Sequence, residues 1–253
     1  MLSKKYTANQ LKTRFAGNEI ITRDQLLSFY KENEPDLNDA TFGWRIFDLK
    51  QSHIIRDVGK SLYTLEVKQR FKPDPDRKII RLAKFLETSF SQVSYSIWTT
   101  GWLNEMIELQ TTSLMYILEV DKASVESVFY SLKDKGFENV YLKPDETVLN
   151  FYVSEIKDAI IVKSIISRSP VYKKEKITLP HIEKILVDLY CDDRLYFPFQ
   201  GSQLIKIYEY CLEKYLLNYS RLLNYAKRRK RQEGITNFLT VYFKDKLKDI
   251  LEQ

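Results

Sequence analysis

Arg45 is the side chain best equipped to read a nucleic-acid base, because its planar guanidinium presents paired donors that match the O6 and N7 acceptors of guanine. It lies in Thr41-Phe42-Gly43-Trp44-Arg45-Ile46-Phe47-Asp48-Leu49-Lys50. Phe42, Ile46 and Leu49 recur there at helical spacing and are expected to turn inward together, leaving Thr41, Trp44, Arg45 and Asp48 on or near the outer side. Thr41 suits a phosphate or a thymine methyl. Lys50, Arg56 and Lys60 suit phosphates, contacts that position a protein on a duplex without reading its sequence. Trp44 belongs to the same candidate surface, although packing against a neighbouring hairpin or a second domain is the stronger expectation for it. The competing reading of Arg45 is an ion pair with Asp48 or Asp39 on a solvated face, and that of Arg56 and Lys60 is an ordinary solvated turn.

Five consecutive cations, Lys227, Arg228, Arg229, Lys230 and Arg231, follow the helical pattern of Leu222, Leu223 and Ala226. Such a run encircles a helix end, complements its dipole and suits nucleic acid or an acidic protein surface, with solvated capping as the alternative. Glu119 and Asp121, one residue apart at a strand end, would share a side and suit a divalent metal. That pair supports an alternative reading as a divergent metal-dependent nucleotidyltransferase, but the upstream turn, Thr100-Gly101-Trp102, lacks the serine such an enzyme uses. His53 and His181 have no second ligand at metal spacing, and no P-loop, H-E-x-x-H, G-x-G-x-x-G or G-x-S-x-G pattern occurs. Cys191 and Cys211 are expected to be buried free thiols. The residues therefore predict a protein that is not an enzyme and uses no metal or other cofactor.

The elements that must position Arg45 can be read from caps and spacing. A helix starting near residue 7 carries Leu11 and Phe15 and ends at the Gly17-Asn18 turn, and Ile20 and Ile21 make a brief extended piece. Thr22 followed by Gln25 is a capping-box pattern that starts a second helix, with Leu26, Leu27 and Tyr30 on its apolar face and Pro35 closing it. A second capping cluster at residues 36–40 leads into the helix of Arg45. Residues 54–57 and 61–65 read as two strands joined through Val58-Gly59-Lys60, with Gly59 predicted to take the positive φ of a tight turn. Three helices and then a hairpin is the order of a winged helix-turn-helix, over residues 7–66 of a first domain at 1–70, with the third helix in the major groove and the hairpin as the wing.

Pro73 and Pro75 in the polar stretch 71–76 mark the expected domain boundary. Residues 77–253 read as a mixed α/β domain on one central sheet: helix 77–90, strand 93–98, helix 102–109, an apolar strand 113–120 covered on both sides, helix 123–133 stopping before Gly136, and strands 139–142, 150–153 and 159–166. From Pro180 the pattern is helical only, giving a C-terminal bundle over 180–253, so the predicted fold class is α+β. A length of 253 residues fits two domains, and 17 Tyr, 14 Phe and 3 Trp fill much of the core with rings. No apolar run approaches the roughly 20 residues of a membrane span, and the first residues lack a signal peptide's apolar stretch, so a cytoplasmic protein is expected. The net charge of +6 suits a partner bearing phosphates. Residues 1–66, however, hold ten Lys or Arg against nine Asp or Glu, so a basic face there requires uneven placement.

Trp44-Arg45-Ile46-Phe47-Asp48-Leu49 and Gly59-Lys60-Ser61-Leu62-Tyr63-Thr64-Leu65, then an α/β half, then Ile182-Glu183-Lys184-Ile185-Leu186-Val187-Asp188-Leu189 and Leu222-Leu223-Asn224-Tyr225-Ala226-Lys227-Arg228, together resemble the AbiE-type (AbiEi-like) antitoxin family. Its members are bacterial transcriptional regulators of type IV toxin-antitoxin pairs. The resemblance covers most of the chain. It implies that residues 7–66 bind double-stranded promoter DNA and repress the chain's own operon, while the remainder counteracts a nucleotidyltransferase-like toxin. The near-neutral first domain keeps a third reading open, a winged helix that binds protein instead of DNA.

Overall fold

Local caps start the second and third helices. A computed structural model describes residues 4–18, 20–108, 112–144 and 156–251. Helix α1 (Lys4–Arg14) is followed by Gly17 in the left-handed region, φ +84°, which turns the chain toward the short strand β1 (Ile21–Thr22). Thr22 caps α2 (Arg23–Lys31): its hydroxyl accepts from the Gln25 N–H at 3.1 Å, and the Gln25 side chain accepts from the Thr22 N–H at 2.7 Å. This is the predicted reciprocal box. Helix α3 (Asp39–Gln51) begins at Asn38, whose side chain accepts from the Thr41 N–H at 2.8 Å. Strands β2 (Arg56–Gly59) and β3 (Leu62–Thr64) complete an antiparallel sheet in the order β1-β3-β2. Leu11, Phe15, Ile21, Leu26, Phe29, Phe42, Ile46, Leu49 and Tyr63 are among the residues that give these elements a core of their own.

Asp76 caps α4 (Arg77–Ser89), which buries Ile79, Leu82, Ala83 and Leu86. A four-stranded sheet follows from β4 (Tyr95–Thr99), β5 (Met115–Val120), β6 (Val140–Leu142) and β7 (Ala159–Ser164), in the order β4-β5-β7-β6, with β4 antiparallel and the rest parallel. Helix α5 (Val125–Asp134) crosses from β5 to β6 and ends ahead of Gly136, φ +72°, as the sequence predicts. Because side chains alternate along a strand, Tyr116, Leu118 and Val120 pack with α4 and α5, whereas Met115 and Ile117 pack with the C-terminal helices. Strand β5 is accordingly buried along its whole length.

Two expectations for this half need correction. The helix predicted over 102–109 is a single 3₁₀ turn, Thr100–Leu103, followed by bends; Leu103 and Met106 face the core at a helix-like spacing of three without a helix between them. The Thr100 hydroxyl accepts the Met115 N–H at 2.9 Å and ties this turn to β5. The single central sheet is also wrong, because β8 (Val171–Lys174) and β9 (Ile177–Pro180) form a further hairpin whose Ile177 and Leu179 pack in the core beneath β4. The strand expected at 150–153 lies outside the described residues. The fold is thus mixed α+β with several sheets.

Beyond Pro180 the predicted run of helices is present: α6 (Ile182–Cys191), α7 (Ser202–Lys214), α8 (Tyr219–Arg228) and α9 (Gln232–Leu251). Residues 182 to 189 of α6 are all buried, making it the helix on which the sheet and the other C-terminal helices close. Among the described residues no helix is long and apolar enough to cross a membrane.

Candidate functional site

Helix α3 buries Phe42, Ile46 and Leu49 and turns its opposite side to solvent, as their spacing requires. Trp44 is 72% exposed and Phe47 51%, their rings meeting edge to face at 5.8 Å, and Thr41, Gly43 and Asp48 are exposed beside them. Trp44 therefore packs against neither the hairpin nor the C-terminal half, contrary to expectation. Phe47 was missed as a surface residue, although its position one turn from Trp44 already put both rings on one side.

Most of the cations around α3 and the hairpin are engaged. Arg45 pairs with Glu34 at 2.6 Å and lies over the Tyr30 ring at 4.9 Å, so its partner is neither Asp48 nor Asp39. The guanidinium bonded to it lowers the Glu34 pKa. Asp39 instead takes Arg23 at 2.6 Å. Lys50 pairs with Asp57 at 2.7 Å and sits over Tyr63 at 5.1 Å. Arg56 donates to the Glu66 carbonyl at 2.9 Å. Lys60 keeps its side chain exposed while its backbone N–H donates to Ser220 Oγ at 2.7 Å.

That last bond shows the hairpin docked on α8. Ile20, Val58 and Leu62 leave the N-terminal core and join the one built by the C-terminal helices. Gly59 leaves room for this approach, since a Cβ there would stand 2.9 Å from both Leu62 Cδ1 and Ser220 Oγ and one of those side-chain ends would have to shift. The positive φ predicted for Gly59 belongs to Ser61, φ 59°. The proline-rich boundary is pinned as well. Gln69 donates to the Lys214 carbonyl at 3.2 Å and accepts from the Leu216 N–H at 2.7 Å, and the Phe71 ring meets Trp102 and Tyr215 edge-on.

The Glu119 and Asp121 carboxylates do not converge. Glu119 is fully buried and bonded to Lys184, while Asp121 accepts the Ser94 N–H at 2.8 Å at the sheet edge. Lys184 also meets Asp188 at 2.5 Å; Asp188 accepts from Tyr225 OH at 2.9 Å and from Arg229 at 2.7 Å; and Asp192 takes Arg229 and Lys163, each at 2.6 Å. Three cations thus balance three carboxylates beneath α6. Burial pulls the Lys184 pKa down, but Asp188 and Glu119 outweigh it and hold the ammonium charged. Burial raises Glu119. Burial also raises Asp192, but Lys163 and Arg229 outweigh it and lower its pKa. Among the described residues no group of three or more His, Cys, Asp or Glu could hold a metal ion. His181 stands immediately before α6, as placed near a helix start, without a side-chain capping bond; burial and then Arg221, whose Nη1 lies 3.2 Å from Nδ1, push its pKa down to about 4. Cys211 is a buried free thiol and Cys191 a partly buried one.

The basic run falls at the α8–α9 corner and is divided. Arg229 points inward to Asp188 and Asp192, leaving the predicted patch, whereas Lys227, Arg228, Lys230 and Arg231 are exposed.

The sequence profile of a family of unknown function, DUF6577, matches residues 41–245, from the first turn of α3 into α9. No curated protein matches the chain.

Proposed function

The chain belongs to the DUF6577 family, and we propose that it is a DNA-binding transcriptional autoregulator and antitoxin of an AbiE-type pair, working in the cytoplasm. On this reading α1 to β3 are a winged helix-turn-helix, α3 enters the major groove of promoter DNA, and the remainder of the chain counteracts a nucleotidyltransferase-like toxin. The sequence resemblance supports the antitoxin half. The DNA-binding half rests on one observation: the outer side of α3 stands clear of the rest of the chain, with Trp44 72% exposed. The order of three helices with a β1-β3-β2 sheet agrees with it.

Arg45 must release Glu34 to reach a base. An exposed ion pair is worth about 0–1 kcal/mol, and a bidentate guanine contact about 1–3 kcal/mol of discrimination, so the exchange favours DNA. Thr41, Lys50, Arg56 and Lys60 then serve as phosphate contacts around it. The test is fluorescence anisotropy with a duplex from upstream of the chain's own gene and a scrambled duplex, over a salt series. Arg45→Ala is expected to cost about 1–3 kcal/mol on the upstream duplex alone, and Lys60→Ala to weaken both duplexes and lower the salt slope by about one. Wild-type protein that binds neither duplex in a salt-dependent way would remove the reading. The Trp44–Phe47 pair favours a second one, α3 docking on a protein, because exposed aromatic pairs are what interface cores are made from. It predicts that Trp44→Ala, not Arg45→Ala, abolishes partner capture.

A further inference from the structure

The cations that remain exposed at the α8–α9 corner have an unusually one-sided setting. Between positions 219 and 235 six Lys or Arg stand against a single carboxylate, Glu233. Lys227, Arg228, Lys230 and Arg231 make no ion pair among the described residues, whereas the cations around α3 and the hairpin are mostly bonded to acids or carbonyls.

The corner is also rigid. Helix α8 closes with Lys230 N–H on the Lys227 carbonyl at 3.0 Å and Arg231 N–H on the Ala226 carbonyl at 2.9 Å, the paired bonds of a Schellman end. Lys230 occupies its left-handed position, φ 56°, where glycine is the usual residue. Arg229, bonded to Asp188 and Asp192, clamps the same turn onto α6. At the other end of α8, Ser220 holds the hairpin tip through the Lys60 N–H. A helix of 10 residues at about 1.5 Å each makes α8 a strut of roughly 15 Å between hairpin tip and cationic corner. At about 3.4 Å per base pair that is four to five base pairs of duplex.

We propose that Lys227, Arg228, Lys230 and Arg231 form a second phosphate-binding contact for the duplex that α3 and the hairpin hold, which rests on the DNA-binding reading above. A protein partner fits the corner less well. Protein interfaces are anchored by buried aromatic or apolar side chains, and no large apolar residue is exposed between positions 219 and 235. A phosphate backbone needs only the charges. The contact carries no sequence information and acts on affinity and on the length of duplex engaged.

The test uses the full chain with K227A/R228A/K230G/R231A, which leaves Arg229 and its clamp intact and places glycine at the left-handed position. Melting should be unchanged. In the anisotropy salt series the slope of log affinity against log salt should fall by about three to four, at about 0.9 per phosphate lost, while the preference for the upstream over the scrambled duplex persists. Trimming the duplex by about five base pairs on the hairpin side should weaken the wild type and leave the variant unaffected. An unchanged slope, with the wild type binding the upstream duplex specifically, overturns the proposal. The same unchanged slope with lost retention on immobilised poly-glutamate assigns the corner to an acidic protein and also overturns it. If the wild type shows no salt-dependent binding at all, the failure lies with the DNA-binding reading.

Discussion

Replacing Lys184 with methionine tests whether the network under α6 behaves as a balanced buried charge cluster. Lys184 is fully buried, as are Glu119 and Asp188. Asp188 would keep Tyr225 and Arg229 after the substitution, but Glu119 would not be rescued in this way: its second oxygen has no hydrogen-bond partner among the described residues. The substitution therefore leaves about one buried carboxylate uncompensated, and breaking a buried pair in this manner costs about 3–5 kcal/mol. At about 2–4 °C per kcal/mol for a chain of this size, Tm should drop by roughly 6–20 °C.

The pH dependence gives a sharper signature. Burial already raises the Glu119 pKa in the wild type, and Lys184 is foremost among the groups pulling it down, so without Lys184 it must rise further. A folded-state pKa above the unfolded value means that the folded form binds more protons, so stability is lost as pH rises through that interval and regained as it falls. The Lys184→Met penalty, measured by urea unfolding, should thus be smaller at about pH 5 than at about pH 7, and Lys184→Met with Glu119→Leu should recover most of it. A penalty under about 1 kcal/mol at neutral pH, or one that does not shrink in acid, would refute the buried-charge account.

Gly59→Ala should destabilise the chain by about 1–3 kcal/mol in urea unfolding and speed amide exchange at Lys60, because the new methyl meets Leu62 and Ser220 at 2.9 Å; wild-type values for both would show that the hairpin does not dock on α8 as described. Trp98 is fully buried and Trp102 partly so, and Trp44→Phe should therefore remove most of the acrylamide-quenchable fluorescence. Retention of that signal would mean that the outer side of α3 is covered.

What could be read from the sequence is what short-range chemistry decides. Thr22 with Gln25 makes a reciprocal cap within four residues, and Phe42, Ile46 and Leu49 fix which side of α3 faces inward, because both signals are complete within one helix. The β8–β9 hairpin was hidden for the opposite reason. Its first strand ends in Lys173 and Lys174, and its turn is Glu175-Lys176 with Glu175 at φ 55°, without the glycine or asparagine that normally announces one. The positive φ expected at Gly59 falls at Ser61 instead, and what crowds position 59 is Leu62 nearby and Ser220, about 160 positions along the chain, which no local pattern contains.

Glu119 shows the limit most clearly. Two acids one residue apart at a strand end look alike in sequence whether they hold a metal or belong to separate networks. Which case applies depends on the third group each finds. For Glu119 that group is Lys184, 65 positions away on α6, and for Asp121 it is the Ser94 backbone 27 positions back. The same reasoning separates Arg229 from its four neighbours in the basic run. A string of like charges reads as one patch until a helix gives each residue its own direction, and then Asp188 and Asp192 draw one guanidinium inward while the others are left to solvent. Charge runs and acid pairs thus locate polar chemistry in a sequence, but its sign and its accessibility are set by partners that only the tertiary fold brings near.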